Sequence, residues 1–380
     1  MPPAKLLLIV AAVVLAYPVS AQTAQRFHLL ITEIMADPTP VVGLPNAEYI
    51  EIRNVSATAW NLQGWRIGDA TGVATINTTF VLQPDSMVIL CANSNVAQLA
   101  AFGRTIGVTS FPSLDNDGEL VILRSPQNRI IHAVQYANTW YGNAVKAEGG
   151  WSLEIIDFTN PCTGSENWIA STSTTGGTPG KMNSVAAHNP DNTPPRLRKA
   201  FTTDNRTVVL VFDESLDSSA ASTAINFSLQ GNSVLSALPQ SPLFEQVQLQ
   251  LQTPLQPQQV TTITVTKITD CRGNEIGAYN KAKVGLSQPA APTDIVINEV
   301  LSDPRPGGYD YLEFYNRSHK IIDAATLYIA NRNSSGAAAS LRRLSDEPFT
   351  IFPGDFVVTT EDAASLSREY LVKNSDAVLQ

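Results

Sequence analysis

The stretch Ile31-Thr-Glu-Ile-Met-Ala-Asp-Pro-Thr-Pro40, followed by Glu48-Tyr-Ile-Glu-Ile-Arg-Asn54, recurs far downstream. There it reads Ile297-Asn-Glu-Val-Leu-Ser-Asp-Pro-Arg-Pro306, followed by Asp310-Tyr-Leu-Glu-Phe-Tyr-Asn316. Glu33 falls on Glu299, Asp37-Pro38 on Asp303-Pro304, Glu51 on Glu313 and Asn54 on Asn316. Further on, Trp65 and Ile67 align with Leu327 and Ile329, and LQPDSMVIL with IFPGDFVVT. Insertions and deletions fall between strand-like segments, where loops tolerate them, so the pattern reads as one domain present twice. The first copy runs on through FPSLDNDGELVILRSPQNRIIHAVQY, a strand-turn-strand pattern with no counterpart before Gln380. The expectation is a truncated second copy, with unpaired edges and incomplete cover over Phe349, Phe352 and Phe356.

Composition supports an all-β chain of tandem immunoglobulin-like sandwiches with few short helices. Thr, Val, Ile, Asn, Pro and Gly are frequent, and turn clusters separate short alternating segments. In YIEIRN, Ile50 and Ile52 point one way and Glu51 and Arg53 the other. NSNVAQLAAFG is the one helical hint in the first copy, with Asn95 as cap and Val96, Leu99 and Ala100 on one face. DAASLSREYL, from Asp362 to Leu371, sits at nearly the same place in the second copy. A short helix crossing between two sheets is expected at both.

The boundaries follow. Residues 1–21 read as a secretory signal, with Lys5 in the n-region, an apolar run from Leu6 to Ala16 and a small-residue cleavage site at Val19-Ser20-Ala21. Residues 27–183 form the first sandwich with its C-terminal extension, and 184–194, with no apolar period and several prolines, a semi-rigid linker. Residues 195–286 form a middle Ig-like sandwich of six or seven strands, with QVQLQLQTPL in strict alternation. Residues 287–293 are a second linker and 294–380 the truncated second copy. No other stretch suits a membrane-spanning helix. The formal net charge of −9 and the scattered Lys and Arg argue against a nucleic-acid partner.

ITEIMADP, EYIEIRN, LQGWRIGD, LQPDSMVIL and LDNDGELVIL, in this order, resemble the lamin tail domain, an Ig-like sandwich of nuclear lamins and exported bacterial proteins. Residues 294–380 resemble its N-terminal two-thirds, with Leu327 where the family usually places the tryptophan that stands here at Trp65. NPCTGSENWIAS with GGTPGKMNSV resembles the extension that often closes bacterial members. VFDESLD and ITDCRGNEIG resemble the surface-layer type of Ig-like domain. The resemblance implies a binding, spacing or attachment role with no chemistry of its own. The expected function is thus a non-catalytic exported surface protein for adhesion, scaffolding or presentation of a C-terminal module, facing an unidentified protein or polysaccharide. The alternatives are the accessory region of a secreted hydrolase or nuclease, and a glycan-binding module.

Constellations for catalysis are missing from the sequence. His28, His132, His188 and His319 are scattered, and GGWSLE around Ser152 lacks the second glycine of a nucleophile elbow. No catalytic or cofactor-binding residue is assigned. Glu33, Asp37, Glu48 and Glu51, recurring as Glu299, Asp303, Asp310 and Glu313, are the weak metal candidates, as four acids near one sheet edge suit Ca²⁺. The favoured reading is structural: Asp-Pro opens a turn, and a strand glutamate bonds neighbouring backbone. Asp115-Asn-Asp-Gly118 reads as a hairpin turn. Trp140-Tyr141, Trp151 and Trp168 read as packing rather than a sugar platform. Of three cysteines, Cys91 lies in an apolar strand, whereas Cys162 and Cys271 lie in polar turns on either side of the first linker. In an exported chain that placement suits a bridge between two domains.

Overall fold

The computed structural model describes residues 23–69 and 72–380; the expected signal segment lies outside them. Strands dominate, in several sheets with a few short helices. The first sandwich contains β1 (Leu29–Met35), β2 (Tyr49–Asn54), β3 (Trp60–Asn61), β4 (Arg66–Gly68), β5 (Val73–Thr75) and β6 (Val81–Leu82). It continues with β7 (Met87–Ala92), β8 (Thr105–Val108), β9 (Leu120–Arg124), β10 (Ile130–Gln135), β11 (Leu153–Ile155) and β12 (Trp168–Ala170). One sheet has the order β12-β11-β1-β2-β7-β8 and the facing sheet the order β10-β9-β4-β5. Ile31, Ile34, Ile50, Ile52 and Leu90 of the first meet Ile67, Val121, Leu123 and Ile131 of the second around Trp65 and Trp60. Burying these side chains, at about 1.5–3 kcal/mol for each large one, drives the sandwich to close.

The short helices are α1 (Val96–Leu99), α2 (Ala144–Ala147), α3 (Ser218–Ala221) and α4 (Ala363–Glu369). α1 departs from expectation in two ways. It links β7 to β8, which pair in parallel within one sheet, because a parallel pair needs a crossover and one helical turn supplies it. Asn95 makes no side-chain cap, and Ala100 stays exposed while Leu99 is buried. Leu99 joins Met35, Leu44, Tyr49, Ile89 and Cys91 in a small second core on the outer side of the six-stranded sheet. The Asp115–Gly118 turn also differs: it lies on the crossover from β8 to β9, which belong to different sheets, so it closes no hairpin.

The middle sandwich has β13 (Leu197–Thr202), β14 (Thr207–Phe212), β15 (Phe227–Leu229), β16 (Val234–Gln240), β17 (Gln246–Leu251), β18 (Thr261–Val265) and β19 (Lys281–Val284). Its sheets run β13-β14-β17-β16 and β15-β18-β19, and alternating Val247, Leu249 and Leu251 enter the core between them. Residues 295–379 hold β20 (Ile295–Leu301), β21 (Tyr311–Asn316), β22 (Ile322–Asp323), β23 (Tyr328–Arg332) and β24 (Ala338–Arg343), then β25 (Thr350–Ile351), β26 (Phe356–Thr360) and β27 (Val378–Leu379). The order β20-β21-β26-β27 follows β1-β2-β7-β8 pair for pair, including the parallel last pair after a helix. β20 shifts register between Ile297 and Glu299 as β1 does between Ile31 and Glu33, and Glu299 faces Glu313 as Glu33 faces Glu51. Leu327 is half-buried against the small core of Phe314, Ala324, Leu344, Ile351 and Val357. Exposure is uneven among the three phenylalanines: Phe356 is open, Phe349 half-covered, and Phe352 buried, against expectation.

Candidate functional site

The acids that recur in sequence do not sit near one exposed edge. Glu33 on β1 and Glu51 on β2 are cross-strand partners on the outer face of the six-stranded sheet, and Glu154 on β11 pairs with Glu33 from the other side. All three are 0% exposed. This outer face, which alternation alone would hand to water, is covered by residues 176–185. Three neighbouring carboxyls, with no cation donating to them among the hydrogen bonds seen, are held by hydroxyls and backbone amides. Glu33 Oε1 accepts from Tyr49 Oη at 2.6 Å, Ser152 Oγ at 2.6 Å and Thr178 N at 2.8 Å. Glu51 accepts from Thr32 Oγ1 at 2.8 Å and, through Oε2, from Gly180 N at 2.7 Å. Glu154 accepts from Thr178 Oγ1, Ser184 Oγ and Val185 N. Burial, reinforced by the charges of its neighbours, raises Glu33 and Glu51 above the usual carboxylate range. Burial first, then the Glu33 charge, drives the Tyr49 hydroxyl well upward.

The covering segment fits because it is glycine-rich. A Cβ on Gly177 would stand 2.7 Å from Glu33 Oε1, Leu44 Cδ1 and Tyr49 Oη, and one on Gly180 would meet Gly103 Cα at 2.7 Å. Gly177→Ala should therefore destabilise the first domain by about 1–3 kcal/mol through overpacking. Gly277→Ala, where a Cβ meets nothing within 4 Å, is the control. Comparing the two by thermal unfolding checks this, and equal melting temperatures would refute the tight cover.

Asp37 and Glu48 lie elsewhere, at the end of the sandwich. Asp37 accepts from Thr39 N, Thr39 Oγ1 and Asn116 Nδ2, and Glu48 from Leu114 N. Asp303 and Asp310 are exposed. Glu299 accepts from Tyr311 Oη and Glu313 from Asn298 Nδ2 at 2.7 Å. His132 is buried, its Nδ1 accepting from Ile31 N at 2.9 Å and its Nε2 3.1 Å from Pro161 O. Burial lowers it to about 4, so it is a neutral fastener of the β1 irregularity. Trp168 is buried and tilts against half-buried Trp140 at 6.4 Å, while Lys146 Nζ lies 4.4 Å from the Trp151 ring.

A set of acids absent from the sequence-derived candidates gathers where the first two domains meet. Ligand oxygens of Asp191, Glu214 and Asp270 lie within 4.8 Å of one another. Asp270 accepts from Arg272 N, Asn274 N and Asn274 Nδ2, and Asp191 from Thr193 N and Thr163 Oγ1. Burial, then the Asp191 and Asp270 charges, pushes Glu214 up to about 9, and it shares a hydrogen bond with Asp191.

The joint itself is heavily fastened. Cys162 and Cys271 are disulfide-bonded, their Cα atoms 6.2 Å apart, and Cys91 is a buried free thiol. Arg26 reaches from the first domain into the middle one, donating to Leu216 O at 3.1 Å and Ser215 Oγ at 2.5 Å, sandwiched by Phe27 and Phe244, each 4.5 Å away. Burial lowers its pKa to about 10, against the pull of Asp217 and Glu245. The segment expected as a semi-rigid linker is held on both sides. Ala187 N donates to Ile156 O, Asn189 N to Asp157 Oδ2, Asn160 Nδ2 to Asn189 O and Asn274 Nδ2 to Asp191 O. The run thus offers backbone groups to Asp157 and Asn160 of the first domain and to Asn274 of the middle one, and its own Asn189 Nδ2 donates to Glu166 O and Asn167 Oδ1 of the first.

Against known proteins, the profile of the Lamin Tail Domain matches residues 22–138. No curated protein matches the chain. Among solved structures, the S-layer protein rSbsC(31-844) aligns at 14% identity and a TM-score of 0.24, over 44% of this chain and 32% of that one. The N-terminal part of the bacterial S-layer protein SbsC aligns at 13% and 0.23, over 43% and 45%. The chain thus spans less than half of either S-layer chain. No helix among the described residues is long and apolar enough to cross a membrane.

Proposed function

We propose that the chain is a non-catalytic, exported, modular surface protein in which successive Ig-like sandwiches serve as a spacer for attachment or presentation, and that residues 294–380 repeat the first sandwich. The repeat is supported by matching strand order and matching register shifts. The non-catalytic reading is supported by how the titratable groups are used: Glu33, Glu51, Glu154 and His132 are buried and hydrogen-bonded to structural partners.

The observation that carries the spacer reading is the contrast between the two joints. The first combines a disulfide, a buried arginine and a docked connecting segment. The second has no disulfide and no buried arginine among the described residues; there Gln288 N donates to Ile321 O, Lys283 lies 5.2 Å from the Phe352 ring and Ile321 packs at Gly285. Its ion pairs are Arg198–Asp376 at 2.8 Å, Lys199–Glu347 at 3.4 Å and Lys283–Asp355 at 2.8 Å. Largely exposed ion pairs of this kind contribute about 0–1 kcal/mol each. The first two domains should move as one body and the third should swing. Spin labels at exposed Val145, Ile225 and Leu371 test this by pulsed distance measurement. A narrow 145–225 distribution and a broad 225–371 one are expected. A broad 145–225 distribution would remove the basis for a stiff spacer.

A further inference from the structure

A methionine and a buried arginine meet at the rim of the glycine-rich cover. Arg53 on β2 is 6% exposed and packs its guanidinium over the Phe158 ring at 4.1 Å. Its Nη2 donates to Asp85 Oδ1 at 2.8 Å, and its Nη1 to Met182 Sδ at 3.5 Å. The buried Nε–H has no acceptor among the described residues. A guanidinium presents five donors in a fixed fork, and a thioether is a weak acceptor for any of them. Arg53 and Met182 line a cavity of about 10 Å³, room for a single water-sized atom. Two other polar side chains there have their donors committed: Thr32 Oγ1 to Glu51 Oε1, and Asn183 Nδ2 to Thr32 O and Ile155 O. Met182 itself is 50% exposed, whereas Met35 is buried and Met87 half-buried. The backbone around it is pinned on both sides, Gly180 N by Glu51 and Val185 N by Glu154.

We infer that Met182 is an oxidation site at which the sulfoxide tightens the cover over β1 and β2 instead of loosening it. Hydrogen peroxide is the oxidant. One of its oxygens bonds to Met182 Sδ as the O–O bond breaks; the sulfur gives up two electrons, and the other oxygen leaves as water with both peroxide protons. Oxidation of a packed methionine ordinarily sets a polar oxygen among apolar groups and disrupts them. Here the oxygen arrives beside a cationic fork that lacks an acceptor. An unbranched side chain with three rotatable bonds can turn its S=O toward Arg53, whose Nε–H and Nη1–H both donate in that direction. A hydrogen bond from a charged donor is about twice as strong as a neutral one, so it outweighs the Nη1–Sδ contact that it replaces. Fastened at Met182, the segment between Gly180 and Val185 opens less often, and the carboxyls beneath it stay covered.

The test treats the full chain with dilute hydrogen peroxide and follows it by peptide mass mapping and amide hydrogen exchange. Met182 should gain one oxygen about tenfold faster than Met87, and Met35 should be slowest of the three. With Met182 oxidised, exchange at Gly180 and Val185 should slow by about threefold or more, through the added charge-assisted hydrogen bond. Met182→Leu keeps an apolar side chain without a thioether and should remove the response to peroxide. Met182→Gln carries a carbonyl oxygen near the sulfoxide position and should show the slowed exchange before any peroxide is added. In Arg53→Lys, which keeps the charge and loses the Nε–H, oxidation should speed exchange instead. Met87 oxidising as fast as Met182 overturns the inference, as does faster exchange in the oxidised native chain. Slowing that persists in Met182→Leu or in Arg53→Lys overturns it equally. If Arg53→Lys fails to fold, the two Met182 variants decide, and exchange in Met182→Gln no slower than in the unoxidised native chain counts against it.

Discussion

Between about pH 5 and pH 9 the first domain should lose stability, and Glu33→Gln should remove much of that loss. The direction follows from the raised values of Glu33 and Glu51 in the fold, caused first by burial and then by neighbouring carboxylates. In the unfolded chain a glutamate ionises near pH 4.3, roughly, so above that value the native state binds more protons than the unfolded one. The stabilisation is fully present below the unfolded value and is lost as pH rises through the folded values. Each unit of elevation is worth about 1.4 kcal/mol, or roughly 3–5 °C for a domain of this size. His132 acts with the opposite sign: lowered to about 4, its contribution is present above its unfolded value and is lost as pH falls. Subtracting the native curve from the Glu33→Gln curve isolates the carboxyl. The glutamine amide keeps a carbonyl oxygen as acceptor for Tyr49, Ser152 and Thr178, so the variant should be the more stable protein at pH 9. Glu33→Ala strands those three donors and should cost about 3 kcal/mol or more at any pH. Parallel native and Glu33→Gln curves would mean that the site stays ionised and solvated.

Removing the bridge at the first joint should have the second large effect. Cys162 and Cys271 are 109 residues apart in sequence, and the chain-entropy model assigns such a crosslink about 4–5 kcal/mol before strain is deducted. The bonded cysteines belong to different sandwiches, so the loss should fall on the middle domain. With the bridge, it unfolds tethered at Cys271 as well as through residue 195; without it, only the latter tether remains. Cys162→Ser with Cys271→Ser should lower the middle domain's melting temperature by on the order of 10 °C and separate its transition from that of the first domain. Non-reducing peptide mapping of the native chain should yield a Cys162–Cys271 peptide pair. A pair containing Cys91, or unchanged melting in the double variant, would contradict the arrangement.

Local pattern made the architecture legible. Alternation in Tyr49–Asn54 and Gln246–Leu251 marks strands, and the repeat of Glu33 and Glu51 picks out two of the three buried acids. The third was hidden because nothing local connects Ser152-Leu-Glu-Ile155 to β1; only sheet pairing puts Glu154 beside Glu33 and Ser152 within reach of it. The same limit hid the cover over the outer face: alternation shows that Glu51 and Arg53 share a side, not that residues 176–185 fold back over it. Arg26 gave no signal at all, being one basic residue near the start of a strand until the middle domain surrounds it. The connecting segment read only as a semi-rigid linker because its fasteners are isolated Asn and Asp side chains whose partners lie about thirty residues away, such as Asn160 to Asn189. Asp191, Glu214 and Asp270 were equally invisible, since they are brought together by the joint.

On this reading the recurring acids fasten a glycine-rich segment to a sheet and do no chemistry with substrate or metal. Carboxyl carbon NMR of Glu33, Glu51 and Glu154 in the full chain, titrated with and without millimolar calcium, tests this most directly. Glu33 and Glu51 should titrate above the ordinary carboxylate range, and calcium should leave all three resonances in place. Ordinary titration together with resonances that shift on calcium addition, and shift back with chelator, would contradict it.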